Sequence, residues 1–312
     1  MASPINAFWT QRQDIGPKGR SQHALAFDLK RERTVLFGGS VFPYYTANNV
    51  SDTWEWDGLF WVQVANFGPP PMCAHNMAYD AKRERVVLAG SGLGGHTTWE
   101  WDGVSWTQVA DQGPPAIHSA MVYDADHQCV VLFGGLGKVG DSGGTWRWNG
   151  IEWTQVSEVG PSARQSHAMA YDTHRKRAVL FGGWSEGTLF GDTWEWNGAA
   201  WEQIATFGPS PRIGHAMAFD AERGRVVLFG GTDTLSGGVA ISARQDTWEW
   251  DGKHWLQRQD MGPSARVFLA MAFDDSRKRT VLFAGSSNEV PTASDFGDTW
   301  ELSELRLVGT PK

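Results

Sequence analysis

Short runs of apolar residues, each closed by a turn signal, recur along the chain. Residues 215–220 read HAMAFD and residues 226–231 read VVLFGG, with the charged turn AERGR between them. A TWEW-type element and a W-x-Q segment form two further runs, and an Asp-Gly or Asn-Gly step follows the first of these in five places. Because these dipeptides supply the positive φ of tight turns, the pattern predicts units of four short antiparallel strands.

The four-strand unit occurs six times. The first tryptophan of the TWEW-type element recurs every 45 to 54 residues, at Trp54, Trp99, Trp146, Trp194, Trp248 and Trp300. The W-x-Q segments begin at Trp9, Trp61, Trp106, Trp153, Trp201 and Trp255. A small sheet of this kind buries both faces only by stacking on neighbours, and a closed ring of such sheets is a β-propeller.

The order of the runs predicts how the ring closes. The chain begins with a lone W-x-Q strand, Phe8 to Gln13, and ends after a sixth element that reads TWEL. We therefore expect an all-β, six-bladed propeller over residues 1–312, a single domain in which the first strand completes the last blade.

An apolar run that ends in a glycine doublet, followed by a loop and a spaced aromatic pair, resembles the kelch repeat. The doublets are Gly38-Gly39, Gly134-Gly135, Gly182-Gly183 and Gly230-Gly231, with Ala89-Gly90 and Ala284-Gly285 as departures. The resemblance covers nearly the whole chain. It implies a propeller that most often serves as a binding platform, with a minority of relatives acting as enzymes on sugars.

The two faces of the expected ring differ in sequence. If the strands of each blade are named A to D from the axis outwards, the B–C and D–A loops lie on one face, the loop face. The A–B and C–D turns lie on the other, the turn face. The turns are short and alike, whereas the B–C loops vary in length and pattern. Because binding residues concentrate on variable loops of a rigid scaffold, we expect function at the loop face and channel mouth.

Arginine and aspartate occur together at the loop-face ends of four blades. The pairs are Arg20 with Asp52, Arg164 with Asp192, Arg212 with Asp246, and Arg266 with Asp298; blades 2 and 3 have Met72 with Thr97 and Ala116 with Gly144. Two interpretations stay open: an ion pair within each blade that braces the rim, or an arginine ring that captures a carboxylate or an acidic peptide.

The missing pairs predict an asymmetric pocket over blades 2 and 3. It would be lined by Met72, Cys73, His96 and His118, with Tyr44 and Tyr45 of blade 1 as aromatic walls. Trp184 is the one tryptophan outside the repeated positions. It lies near Phe190 and is a candidate either for stacking on a ligand or for capping its own blade.

Catalysis is the alternative to binding. Cys73 could act as a nucleophile with His75, His96 or His118 as base, in an isomerase, lyase or hydrolase-like reaction on a small metabolite. His23, His75, His167 and His215 recur at one position, which favours a repeated hydrogen bond with the local backbone over a metal site. We expect no cofactor.

Composition limits the classes of partner that the protein could bind. With Lys+Arg 27 against Asp+Glu 35 the net charge is −8, and the absence of basic blocks excludes a nucleic-acid groove. No apolar run approaches the length of a membrane span, and because the first residues have neither a basic start nor an apolar stretch, we expect no secretory signal. Cys73 and Cys129 should not meet, which fits a reducing compartment. We expect a monomeric cytoplasmic protein that binds a small molecule or a protein segment, with an anionic ligand as one of the alternatives.

Overall fold

The computed structural model describes residues 7–42, 48–92, 95–137, 140–236, 239–240, 242–258, 262–287 and 294–304. They form an all-β, six-bladed propeller of four-stranded antiparallel blades, as predicted. The described residues contain no helix that could span a membrane.

The strands follow one another in a regular order. The first is β1 (Ala7–Gln13), and blade 1 contains β2 (Ala24–Asp28), β3 (Arg33–Phe37), β4 (Thr53–Trp56) and β5 (Trp61–Ala65). Blade 2 contains β6 (Asn76–Asp80), β7 (Arg85–Gly92), β8 (Gly95–Trp101) and β9 (Trp106–Ala110). Blade 3 contains β10 (Ala120–Asp124), β11 (Cys129–Phe133), β14 (Thr145–Trp148) and β15 (Trp153–Ser157), with the short hairpin β12 (Leu136–Gly137) and β13 (Gly140–Asp141) in its B–C loop.

The second half repeats this arrangement. Blade 4 contains β16 (Ala168–Asp172), β17 (Arg177–Phe181), β20 (Thr193–Trp196) and β21 (Trp201–Ala205), with the hairpin β18 (Trp184–Ser185) and β19 (Thr188–Leu189). Blade 5 contains β22 (Ala216–Asp220), β23 (Arg225–Phe229), β26 (Thr247–Trp250) and β27 (Trp255–Gln257), with the hairpin β24 (Leu235–Ser236) and β25 (Val239–Ala240). Blade 6 contains β28 (Ala270–Asp274), β29 (Arg279–Phe283) and β30 (Thr299–Glu304), and β1 pairs with β30 as its outermost strand. The predicted ring closure is therefore confirmed.

Tryptophans join each blade to the one before it. The indole N–H of the W-x-Q tryptophan donates to the hydroxyl of the threonine that precedes the first tryptophan of strand C in the preceding blade, over 2.8 to 3.0 Å. The six bonds are Trp61–Thr299, Trp106–Thr53, Trp153–Thr98, Trp201–Thr145, Trp255–Thr193 and Trp9–Thr247. Since the same bond occurs at every interface, these tryptophans hold the ring together.

Blade 2 departs from the others at its glycine doublet. In the other five blades both doublet residues have positive φ, including Ala284 at 57° and Gly285 at 103°, and this kink re-aims the B–C loop. Ala89 and Gly90 instead continue the β7–β8 ladder as far as Gly92 and Gly95. The blade 2 hairpin therefore extends straight from the sheet while its neighbours bend.

Candidate functional site

A closed ring of backbone hydrogen bonds surrounds the axis at the loop face. In each blade, the residue two before strand A donates its N–H to the carbonyl of the equivalent residue in the preceding blade, over 2.7 to 3.2 Å. These residues are Gln22, Ala74, His118, Ser166, Gly214 and Phe268, and all have φ between 55° and 63°. The left-handed conformation directs the N–H of each ring residue to the carbonyl of the ring residue in the preceding blade. The resulting ring narrows the channel at the loop face.

Two side chains of this ring meet although their blades lie on opposite sides of the propeller. The ring centroids of His118 and Phe268 are 6.3 Å apart, so the two side chains lie over the axis. Burial lowers the pKa of His118, and the nearby Asp141 carboxylate opposes this only in part. Asp141 also accepts a hydrogen bond from Gln165 Nε2 at 2.9 Å. The imidazole is therefore neutral at neutral pH.

The cavity at this end of the axis is small. Its volume is about 120 Å³, and its walls are the six ring residues and the residues that follow them in sequence. Pockets for drug-sized ligands have volumes of about 300–1,000 Å³. The loop-face mouth therefore has room for a small polar group rather than for an enclosed metabolite.

The four repeated histidines lie at the inner edge of the blade interfaces. His75 Nε2 and His167 Nε2 each lie 3.1 Å from a backbone oxygen, that of Phe37 and that of Phe133 respectively. His75 and His167 thus each make a hydrogen bond with the backbone, but its acceptor belongs to the neighbouring blade and not to the local backbone as predicted. Burial lowers the pKa of His75 to about 4 and that of His167 to about 3. Within the described residues, no group of three or more His, Cys, Asp or Glu could hold a metal ion.

The predicted ion pair is present in all four blades that carry the arginine and the aspartate. In blade 4, the Arg164 guanidinium bonds both oxygens of Asp192, at 2.6 and 3.0 Å, and the carbonyls of Ser162 and Gly182. Phe190 lies over it, with the guanidinium carbon 4.0 Å from the ring centroid.

The arginine side chains are deeply buried as well as paired. Arg20, Arg164, Arg212 and Arg266 are at most 1 % exposed. Burial alone raises the pKa of Asp192, but the hydrogen bonds and charge of Arg164 outweigh it and hold the pKa below its usual value. Direct contact between a ligand and Arg164, Arg212 or Arg266 would require an ion pair to open, so a ligand role for them stays a prediction.

Met72 does not lie where the sequence suggested. Its side chain is 1 % exposed and belongs to the core between blades 1 and 2 instead of the channel mouth. It occupies the place of the missing arginine beside Gly90, where an added Cβ would lie 2.5 Å from the Met72 sulfur. Because Thr97 offers no charge to pair with, a buried apolar side chain is the stable occupant.

Cys73 and His96 both belong to the loop face of blade 2. Burial raises the pKa of the Cys73 thiol, and a hydrogen bond with Asn49 opposes the shift. The thiol is thus protonated at neutral pH and a weak nucleophile. His96 Nδ1 lies 2.6 Å from the hydroxyl of Ser91, its partner across the blade 2 hairpin. Cys73 and Cys129 are both free, as expected.

Blades 3 and 4 present large apolar side chains directly after the glycine doublet. Leu136 is 39 % exposed and Trp184 is half-buried, whereas the equivalent Ser40, Thr232 and Ser286 are buried. Trp184 also exchanges two backbone hydrogen bonds with Gln165, so its backbone is fixed at the rim. Its predicted stacking on a ligand stays untested, and Tyr44 and Tyr45 lie outside the described residues.

Sequence reasoning missed Phe268, Asp141 and Gln165. Phe268 could have been found by comparing the six ring positions, since it is the one large apolar residue among them. Asp141 lies in a B–C loop whose length differs between blades, so no repeated position marks it. Gln165 does occupy a repeated position, directly before the ring residue Ser166.

No protein-family model matches the chain, and a search of curated proteins finds no significantly similar sequence.

Proposed function

We propose that this propeller is a kelch-like binding module that takes a short segment of a partner protein on its loop face, over blades 2 to 4. Five blades keep the left-handed doublet at the position where the kelch-like pattern has Gly-Gly, which supports the assignment. The two free thiols support a reducing compartment.

One observation carries the proposal: neighbouring blades 3 and 4 present Leu136 and Trp184 at equivalent rim positions, where buried Ser or Thr occurs in blades 1, 5 and 6. An apolar pair anchored on rigid hairpins can accept two side chains of an extended peptide. The straight hairpin of blade 2, with Ser91 and His96, forms one side of this surface. Tryptophan is among the residues that most often dominate the binding energy of such contacts.

The titratable groups favour binding over catalysis. The four repeated histidines are buried with lowered pKa values, and the Cys73 thiol has a raised pKa. The cavity of about 120 Å³ at the mouth is small for an enclosed substrate. Because the rim arginines are paired with aspartates, the proposal rests on apolar contact and not on an anionic partner.

The test uses random 12-residue peptides displayed on phage and selected on the full chain. The dissociation constants of enriched peptides are then measured for wild type, Trp184→Ala, Leu136→Ala and the control Phe207→Ala. Phe207 is highly exposed and lies in the D–A loop that leads from blade 4 to blade 5. We expect at least about a tenfold loss for Trp184→Ala, a smaller loss for Leu136→Ala and none for the control.

Two outcomes would overturn the proposal. In the first, no peptide is enriched over a selection on the heat-unfolded chain. In the second, enriched peptides bind Trp184→Ala and Leu136→Ala as tightly as wild type, which would put their site elsewhere on the propeller.

A further inference from the structure

The innermost strands of the propeller border an accessible space along the axis. The aliphatic residues of strand A are between 4 and 9 % exposed in all six blades, as for Ala170 at 4 % and Ala270 at 9 %, and the aromatic residues that follow them are half-buried in four blades. The central residues of strand B, one strand further out, are 0 % exposed. This exposure along strand A, which the central residues of strand B lack, is what a channel produces.

The channel opens on the turn face. A cavity of about 460 Å³ is lined by strand A of every blade and by the first residue of every A–B turn. At its other end lies the ring of backbone hydrogen bonds, with His118 and Phe268 over the axis. The cavity is thus a blind channel with one wide mouth.

The side chains of its walls are apolar, although the aliphatic layer is only 6 to 8 % exposed to the channel. One layer is formed by Leu25, Met77, Met121, Met169, Met217 and Met271, and the layer nearer the mouth by Phe27, Tyr79, Tyr123, Tyr171, Phe219 and Phe273. Methionine side chains adjust to irregular ligands because they are unbranched and polarizable. Such walls complement an apolar surface without fixing its detailed shape.

Charged side chains play little part in the lining, and its polar groups are mainly backbone N–H and C=O groups, because strand A is the edge strand of each blade. The Tyr171 hydroxyl donates to Asp124 at 2.8 Å, in the preceding blade. The one charged residue of the lining, Asp275 at the mouth, pairs with Lys278 at 3.0 Å. A charged ligand would therefore lose its hydration in the channel without gaining an oppositely charged side chain as partner.

The dimensions favour a slender ligand. A five-residue strand is about 16 Å long at 3.3 Å per residue, so a volume of about 460 Å³ corresponds to a mean cross-section of roughly 30 Å². That width accepts an extended alkyl chain or a narrow aromatic compound but not a folded peptide. We propose that the channel binds a slender, uncharged apolar small molecule, inserted from the turn face and independent of the loop-face site.

The experiment titrates the full chain with N-phenyl-1-naphthylamine, a neutral dye that fluoresces in apolar surroundings, and then with 1-decanol as competitor. Ala81 and Ala125 line the mouth and are themselves exposed, so the double variant Ala81→Arg/Ala125→Arg obstructs entry without altering the core. Ala199→Arg, on an exposed C–D turn of the same face, is the matched control.

We expect saturable binding of one dye per chain that decanol displaces. The double variant should bind at least tenfold more weakly, while Ala199→Arg and the loop-face variant Trp184→Ala bind within twofold of wild type. Equal urea midpoints for all variants show that the fold is retained. The proposal is overturned if no saturable binding occurs, if the double variant binds like wild type, or if Trp184→Ala removes the binding.

Discussion

The Arg164–Asp192 pair of blade 4 allows a direct test of what braces the loop face. The substitution Arg164→Met removes the guanidinium but keeps an apolar side chain under Phe190 and beside Gly183. Asp192 is then left with the Trp194 indole, which donates to it at 2.7 Å, and without a counter-ion. Blade 2 contains the corresponding double substitution naturally, as Met72 and Thr97.

The expected losses of unfolding free energy follow from the burial of the ion pair. Breaking a buried ion pair by removing one partner costs about 3–5 kcal/mol, whereas replacing both partners by groups that pack well is often neutral. The Asp192 side chain is 17 % exposed, and water partly replaces the lost partner, so we expect about 3 kcal/mol for Arg164→Met. The double variant Arg164→Met/Asp192→Thr should lose about 1 kcal/mol, because it leaves no unpaired charge.

The assay is equilibrium unfolding in urea, followed by tryptophan fluorescence and circular dichroism at pH 7 and pH 3. Free energies are compared only where the dependence on urea concentration is unchanged. The penalty of the single variant should shrink at pH 3, where protonated Asp192 needs no counter-ion. Two results would refute the explanation that the loss of stability comes from leaving Asp192 charged and unpaired. These are equal losses of unfolding free energy in the single and double variants, or a loss in the single variant that does not depend on pH.

Three further predictions test the closure, the ring and the buried histidines. Deleting residues 1–13 removes β1 and the Trp9–Thr247 bond, so the truncated chain should unfold at much lower urea; a wild-type midpoint would contradict closure by β1. Ala74→Gly should stabilise the ring slightly, while Gly214→Ala, at the equivalent left-handed position, should cost about 1 kcal/mol; equal effects would refute backbone strain. The pKa of His75 is about 4 in the folded chain and 6.5 in the unfolded chain. The stability that the neutral imidazole contributes is therefore complete above pH 6.5 and is lost on acidification. The free energy of unfolding should fall by about 2 kcal/mol at pH 5 for this reason. Urea unfolding from pH 7 to 5 should therefore show a smaller decline for His75→Leu, and an equal decline would contradict burial of the neutral ring.

The sequence predicted the propeller because local signals repeat. Asp-Gly and Asn-Gly steps mark the C–D turns, and the tryptophan spacing counts the blades. The Arg–Asp pair could also be found, since comparing blades shows both residues present or both absent. Repetition within one chain thus serves the purpose of an alignment wherever a residue acts within its own blade.

Comparing the blades could not predict contacts between residues on opposite sides of the propeller. His118 meets Phe268 because their blades lie opposite each other, and nothing local connects the two positions. The ring of hydrogen bonds uses backbone groups, so residues as different as Ala74 and Phe268 occupy equivalent places in it. Met72 was misplaced because the rim was expected to be open where the Arg–Asp pair is missing, whereas its side chain fills the space of the missing arginine.

The two proposed sites depend on the repeat in opposite ways. The channel needs all six blades to contribute the same layers, so its chemistry is uniform around the axis. The loop-face surface exists only where the repeat is broken: the unkinked hairpin of blade 2, the missing ion pairs of blades 2 and 3, and Trp184 in blade 4. These departures fall on consecutive blades. A bound segment of a partner needs one continuous surface, and scattered departures would not provide it.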